Sequence, residues 1–218
     1  MEESDATAAR RPLKSRASAW AGMLSGVLVR CNISANMISV LSVVFSLAAS
    51  TVLICVGRGH LTHWWYFAAA ALIQLRLICN LMDGMVAIEG GKKSAVGDLY
   101  NEVPDRIADV AILAGFGFCA ICQPWGTHLG WLAASLAVMT AYIRMQGATL
   151  TGKQDFRGPM AKPHRMALVT GTCVAAAFFQ SGIDWVFWVL LVMIFGEVVT
   201  ACRRLSGISA ILRRKWRP

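Results

Sequence analysis

Asn80-Leu81-Met82-Asp83-Gly84-Met85-Val86-Ala87-Ile88 and, after eight residues, Gly97-Asp98-Leu99-Tyr100-Asn101-Glu102-Val103-Pro104-Asp105-Arg106-Ile107-Ala108-Asp109 form the polar ends of two otherwise apolar segments. Carboxylates and their amides recur there at helical spacing. Residues 80, 83, 84 and 87 share one helix face, because i, i+3, i+4 and i+7 neighbours stack, and Asn101, Asp105 and Asp109 share a face of the next helix. An ionisable group held against lipid costs roughly 2.5–3.5 kcal/mol, so Asp83, Asp98, Glu102, Asp105 and Asp109 together require a cation or a polar cavity.

The surrounding chain explains why lipid is the relevant solvent. Of 218 residues, 56% are hydrophobic and only 15% charged, with a mean hydropathy of +0.55, which is foreign to a soluble domain of this size. Apolar runs near Asn36–Val56, Trp64–Val86, Ile107–Cys122, Leu129–Ile143, Met166–Gln180 and Trp185–Ala201 approach the ~20 residues a spanning helix needs. The expected fold is therefore an all-α integral membrane protein with six transmembrane helices in one bundle. Ala17–Arg30, with Trp20, Met23, Leu24, Val27 and Leu28 at helical spacing, is expected as an interfacial helix before the first span.

Basic residues set the orientation. All of the 21 lysines and arginines except Arg58, Arg76 and Arg106 fall in the tails and in the connections on one side of the six spans. The opposite connections, Gly57–Thr62, Gln123–His128 and Ser181–Asp184, carry only Arg58. By the positive-inside rule the termini and the acidic motif face the cytoplasm, as expected for the inner membrane of a bacterium. The net charge of +9 is thus a topology signal, and no nucleic-acid partner is expected. Residues 1–16 read as a disordered cytoplasmic tail, 17–204 as the membrane domain and 205–218 as a basic cytoplasmic tail whose Arg213–Arg217 run rests on anionic lipid headgroups. The loop Gly147–His164, rich in glycine, proline and basic residues, is expected to be mobile. Cys119 and Cys122 form a CxxC, but with no second pair to complete a zinc set they read as packing residues.

Two helices presenting oxygen ligands toward each other at the membrane surface suit hard divalent cations such as Mg²⁺ or Mn²⁺, and such metals bind a diphosphate. Arg76 and Arg106, at membrane depth, are the expected partners of the acidic cluster, with Arg106 bridging to Glu102. Arg144, Lys153, Arg157, Lys162, His164 and Arg165 border the same cytoplasmic face, either to bind phosphate or merely to enforce topology.

Written as Asn80-x2-Asp83-Gly84-x2-Ala87-Ile88-x8-Gly97-x3-Asn101-x3-Asp105, the segment resembles the CDP-alcohol phosphotransferase family, whose motif is D-x2-D-G-x2-A-R-x8-G-x3-D-x3-D. Ser34-Ala35-Asn36-Met37-Ile38-Ser39 and Ala141-Tyr142-Ile143-Arg144 are similar to two further family segments, so the resemblance covers about residues 30 to 170. It implies a six-helix, metal-dependent membrane enzyme that transfers a phosphatidyl group from CDP-diacylglycerol to an alcohol, releasing CMP, and that forms a homodimer.

By the resemblance, Asn80, Asp83, Asn101 and Asp105 stand at metal positions, with Asp109 extending the set by one turn. Asp105 is also the expected catalytic base on the acceptor hydroxyl. Gly84, Ala87 and Gly97 would line the cytidine pocket, and Lys92, Arg144 and Arg165 would meet phosphate. Asn80 and Asn101 stand where the family has Asp, and Ile88 stands where it has Arg. Two other readings stay open: a catalytically inactive lipid-binding relative, supported by those three departures, and a small ion-coupled transporter.

Overall fold

The structure is a computed structural model that describes residues 18–89, 96–121, 123–179 and 184–216. Among them there is no strand. The helices are α1 (Ala19–Arg30), α2 (Ala35–Gly57), α3 (Trp65–Glu89), α4 (Gly97–Gly117), α5 (Gly126–Thr151), α6 (Lys162–Phe178) and α7 (Trp185–Lys215). Ser34 caps α2 by accepting from the Met37 amide at 3.3 Å, and Asp184 caps α7 by accepting from Phe187 at 3.0 Å, each satisfying an amide that the first turn leaves open.

Three of the six expected crossings are long and apolar enough to span a bilayer: α2, α3 and α7. The others depart for visible reasons. α4 carries the acidic cluster, α5 takes nearly half of its residues from alanine, glycine and threonine, and α6 has 17 residues, about 25 Å at 1.5 Å per residue against a hydrocarbon core of ~30 Å. α7 runs well beyond its apolar half, so the segment 205–215, expected as a tail, continues the last helix and ends it on Arg213, Arg214 and Lys215. Residues 1–16 lie outside the described residues.

The helices α2 to α7 close into a ring. α2 packs on α3 and α4, α4 on α5, α5 on α7, α7 on α6 and α6 on α3, while α1 lies outside against α3. Small residues permit this closeness. Ser39, Ser42, Ser46 and Ser50 form a buried stripe on α2, and Ser42 and Ser46 return their hydroxyls to carbonyls of their own helix at 2.7 Å, leaving a smooth surface for α3 and α4. At the α4–α5 crossing Gly117 and Gly130 meet backbone to backbone. The apolar core, with Leu53, Ile73, Ile112, Phe116, Met166 and Leu190 fully buried, extends from Met166, next to Arg165, toward the end of the ring away from the motif. Trp64, Trp65, Trp125 and Trp185 stay exposed at that far end, and Trp131 follows on α5, as an aromatic belt would require.

Candidate active site

α3 and α4 contribute the motif. Helical periodicity puts Arg76, Asn80 and Asp83 on the inward side of α3, and Asp105 and Asp109 on the inward side of α4. Asn80 donates its amide to Asp105 Oδ1, joining the two helices at their polar ends. Asp83 is 5% exposed and accepts from Ser39 on α2 at 2.8 Å. Ser39 belongs to the segment quoted from the sequence, yet its role as a partner of Asp83 was not legible there. Pro104, inside α4, withholds its amide from the Tyr100 carbonyl and so loosens the backbone one turn before Asp105.

Behind this pair lies a ladder of buried charges. Arg76 Nη2 reaches Asp109 Oδ1 at 2.6 Å, and Arg165 Nη2 of α6 reaches Asp109 Oδ2 at 2.9 Å. Arg165 Nε also stands 3.4 Å from Glu197 of α7, which is fully buried. Two expected site residues meet here. Each oxygen of Asp109, expected to extend the metal positions, is bound to a guanidinium. Arg165, expected to meet phosphate, is 2% exposed and faces Asp109, Glu197, Thr140 and the Met160 carbonyl. Glu197 was missed, although a lone carboxylate inside the last apolar span was a signal available in the sequence.

In front, Asp105 is the meeting point of cations. Lys162 Nζ, at the first residue of α6, bonds Asp105 Oδ2, Arg106 lies 3.7 Å from the same oxygen, and Arg76 lies 3.5 Å from Oδ1. Arg106 also makes the expected bridge to Glu102, at 3.1 Å. Glu102 further receives both contacts of Arg144 Nη2, at 2.7 and 2.9 Å.

Arg144 uses its other nitrogen on Gln154 at 2.9 Å and lies over the Phe156 ring at 5.6 Å. It thereby fastens the loop between α5 and α6. The same loop is tied by Met160, whose amide donates to Thr200, and by Arg204, which donates to the Arg157 carbonyl, both at 3.0 Å. Within the loop, the Arg157 guanidinium bonds Asp155 and holds its carboxyl below the ordinary range. A segment expected to be mobile is therefore held at several points.

The remaining expectations fall as follows. Gly84 and Ala87 are half-buried on α3, Gly97 opens α4, Asn101 is exposed on α4, and Ile88 is 56% exposed. Lys92, Lys93 and the side chain of Asp98 lie outside the described residues. Cys119 is buried and donates to the Leu53 carbonyl at 3.2 Å, while Cys122 lies outside the described residues.

The donor set for a cation is made of oxygen: the carboxylates of Asp83 and Asp105 and the side-chain carbonyls of Asn80 and Asn101, which suits Mg²⁺ or Mn²⁺. Among the described residues no group of three His, Cys, Asp or Glu is placed to hold a metal, and Asp105 already carries an ammonium. Asp83, by contrast, makes no ion pair with lysine or arginine among the described residues.

This ring of helices, three of them long and apolar enough to cross a membrane, has the fold of a phosphatidylinositol phosphate synthase of solved structure. The chain matches the structure of the Mycobacterium tuberculosis phosphatidylinositol phosphate synthase with CDP-DAG bound at a TM-score of 0.72 and 19% identity, covering 88% of this chain and 94% of that one. The same enzyme in complex with manganese and citrate matches at a TM-score of 0.72 and 19% identity, covering 86% and 88%. In sequence the chain is 24% identical over 187 residues to the inner membrane protein YnbA of Escherichia coli, 84% of this chain and 89% of that protein. It is also 24% identical over 199 residues to the phosphatidylinositol phosphate synthase of Mycobacteroides abscessus, 85% and 81%. No protein-family profile matches the chain. The resemblance to the CDP-alcohol phosphotransferases read from the motif thus extends to sequence relatives and to the whole fold.

Proposed function

We propose that this protein is a membrane enzyme of phospholipid synthesis that transfers a phosphatidyl group from CDP-diacylglycerol to an alcohol and releases CMP. The observation that carries this reading is the junction of Asn80 and Asp83 on α3 with Asp105 on α4, in the motif order and within the fold of enzymes of that class. In the proposed reaction the acceptor oxygen bonds the β-phosphorus, the bond from that phosphorus to the oxygen shared with CMP breaks, and the hydroxyl proton passes to Asp105. A divalent cation at Asp83, with the side-chain carbonyls of Asn80 and Asn101, would supply charge stabilisation for the diphosphate when bound. Gly84, Ala87 and Gly97 leave room beside that diphosphate for the nucleoside. Lys92 and Arg144 are the proposed phosphate contacts, Arg144 by exchanging Gln154 for the ligand.

The finer topology belongs to the same reading: six crossings, with both termini and the motif on the cytoplasmic side of a bacterial inner membrane, supported by the one-sided distribution of lysine and arginine. α1, with Trp20, Met23 and Val27 exposed, lies at the lipid surface, and two copies associate as a homodimer. The Asn80 and Asn101 amides and the ammonium on Asp105 favour a second reading, a relative that binds the lipid without turning it over. CMP release from CDP-diacylglycerol by the purified protein with Mg²⁺ or Mn²⁺, across a panel of alcohols, separates the two. Release that Asp105→Asn abolishes supports the enzyme, and silence across the panel from folded protein supports the second reading.

A further inference from the structure

We propose that Lys162 takes the place of one divalent cation, so that the site works with a single metal at Asp83 and a built-in ammonium at Asp105; this rests on the proposed phosphatidyl transfer. Three observations converge. The Lys162 ammonium stands 2.5 Å from Asp105 Oδ2, whereas a dication coordinating that oxygen would sit at about 2.1 Å, so the two compete for one place. Asn80 meets the other carboxylate oxygen, Oδ1, with its amide nitrogen, and a donor cannot serve as a ligand to a metal bridging the pair. Finally, Asp83 has no lysine or arginine nitrogen within ion-pair distance among the described residues, although it is buried; its only hydrogen-bonding side chain there is the neutral Ser39.

The charges agree with this division. Asparagine at 80 and 101 keeps carbonyl oxygens but removes two negative charges from the motif, which lessens the need for two dications. Lys162, anchored at the start of α6 where the chain turns in from the loop, makes the shortest of the three cation contacts to Asp105, ahead of Arg76 and Arg106. Lys162 and Asp105 are electrostatic neighbours of Asp83, so the fixed ammonium also weakens the hold of Asp83 on its metal by Coulomb repulsion.

The test is a Mn²⁺ titration of the full-length purified protein, followed by electron paramagnetic resonance of the free ion, with CMP release measured in parallel. One Mn²⁺ per chain is expected, and Asp83→Asn should abolish its binding. Lys162→Gln should tighten Mn²⁺ binding by about tenfold or more, from the loss of a unit charge beside a dication. Lys162→Arg, which keeps the charge, and Lys215→Gln, which removes one from the exposed end of α7, should both bind as the parent does. Two Mn²⁺ per chain in the parent, unchanged or weaker binding in Lys162→Gln, or binding that survives Asp83→Asn would overturn the inference. One Mn²⁺ bound without any CMP release would instead count against the transferase reading alone.

Discussion

Arg76 of α3 and Asp109 of α4 meet at 2.6 Å in the centre of the helix ring, both essentially sealed from solvent. The two helices pack little against each other directly, so this pair, extended by Arg165 to α6, stands where backbone contact is sparse. The motif carboxylates in front of it therefore rest on a charged platform.

Removing the charge from that platform leaves the buried Arg76 and Arg165 guanidiniums without their nearest carboxylate. Asp109→Asn is expected to cost about 3–5 kcal/mol, the usual penalty for stranding a buried charge. The combined replacement Arg76→Met with Asp109→Leu should recover part of that loss. Unfolding in detergent, followed by circular dichroism against denaturant, measures both.

At Asp105 the larger effect is expected on turnover. Asp105→Asn keeps the shape and the contact with Asn80 but takes the carboxylate away from Lys162, so the unfolding midpoint should fall, though less than for the more deeply buried Asp109, while CMP release falls by roughly 10²- to 10⁴-fold, the usual worth of a positioned base. Chelation of divalent cations should stop release in the parent and added Mn²⁺ should restore it. Activity that survives the substitution would remove Asp105 from the reaction.

The α4–α5 crossing depends on the absence of side chains at Gly117 and Gly130, where a β-carbon on either would press on the backbone of the other helix. Gly130→Ala is expected to destabilise by about 1–3 kcal/mol, as overpacking does. Gly22, whose added β-carbon would meet nothing, provides the comparison: Gly22→Ala should leave the unfolding curve nearly unmoved.

Arg144 holds the α5–α6 loop through Gln154 and Phe156 and holds α4 through Glu102. With Arg144→Ala the loop loses its tie to α5 and α4 and keeps those to α7 and to Arg165 of α6, and trypsin should cut at Lys153 and Arg157 several times faster than in the parent, read by mass spectrometry of timed digests. Arg144→Lys should resemble the alanine variant, since an ammonium cannot reproduce the two-sided fork.

Much of this was local in the chain and therefore legible in it. The face shared by Asn80, Asp83, Gly84 and Ala87, and that shared by Asn101, Asp105 and Asp109, follow from a helical repeat of 3.6 residues. The Arg106–Glu102 bridge follows from a spacing of four. Apolar length and the one-sided placement of lysine and arginine were enough to call for a membrane protein, because hydrocarbon penalises charge wherever it lies.

What the chain alone did not disclose is which basic residue meets which carboxylate. Lys162 reaches Asp105 across 57 positions and Arg165 reaches Asp109 across 56, and Glu197 joins them from a third helix. By sequence Lys162 and Arg165 were two cations beside one cytoplasmic face, with Arg165 the one expected to meet phosphate. Only the closing of the ring turned Arg165 inward to bury it against Asp109, and set Lys162 at the start of α6 to face Asp105. Ion pairing is decided by distances of a few ångströms between helices, and those distances exist only after the helices have packed.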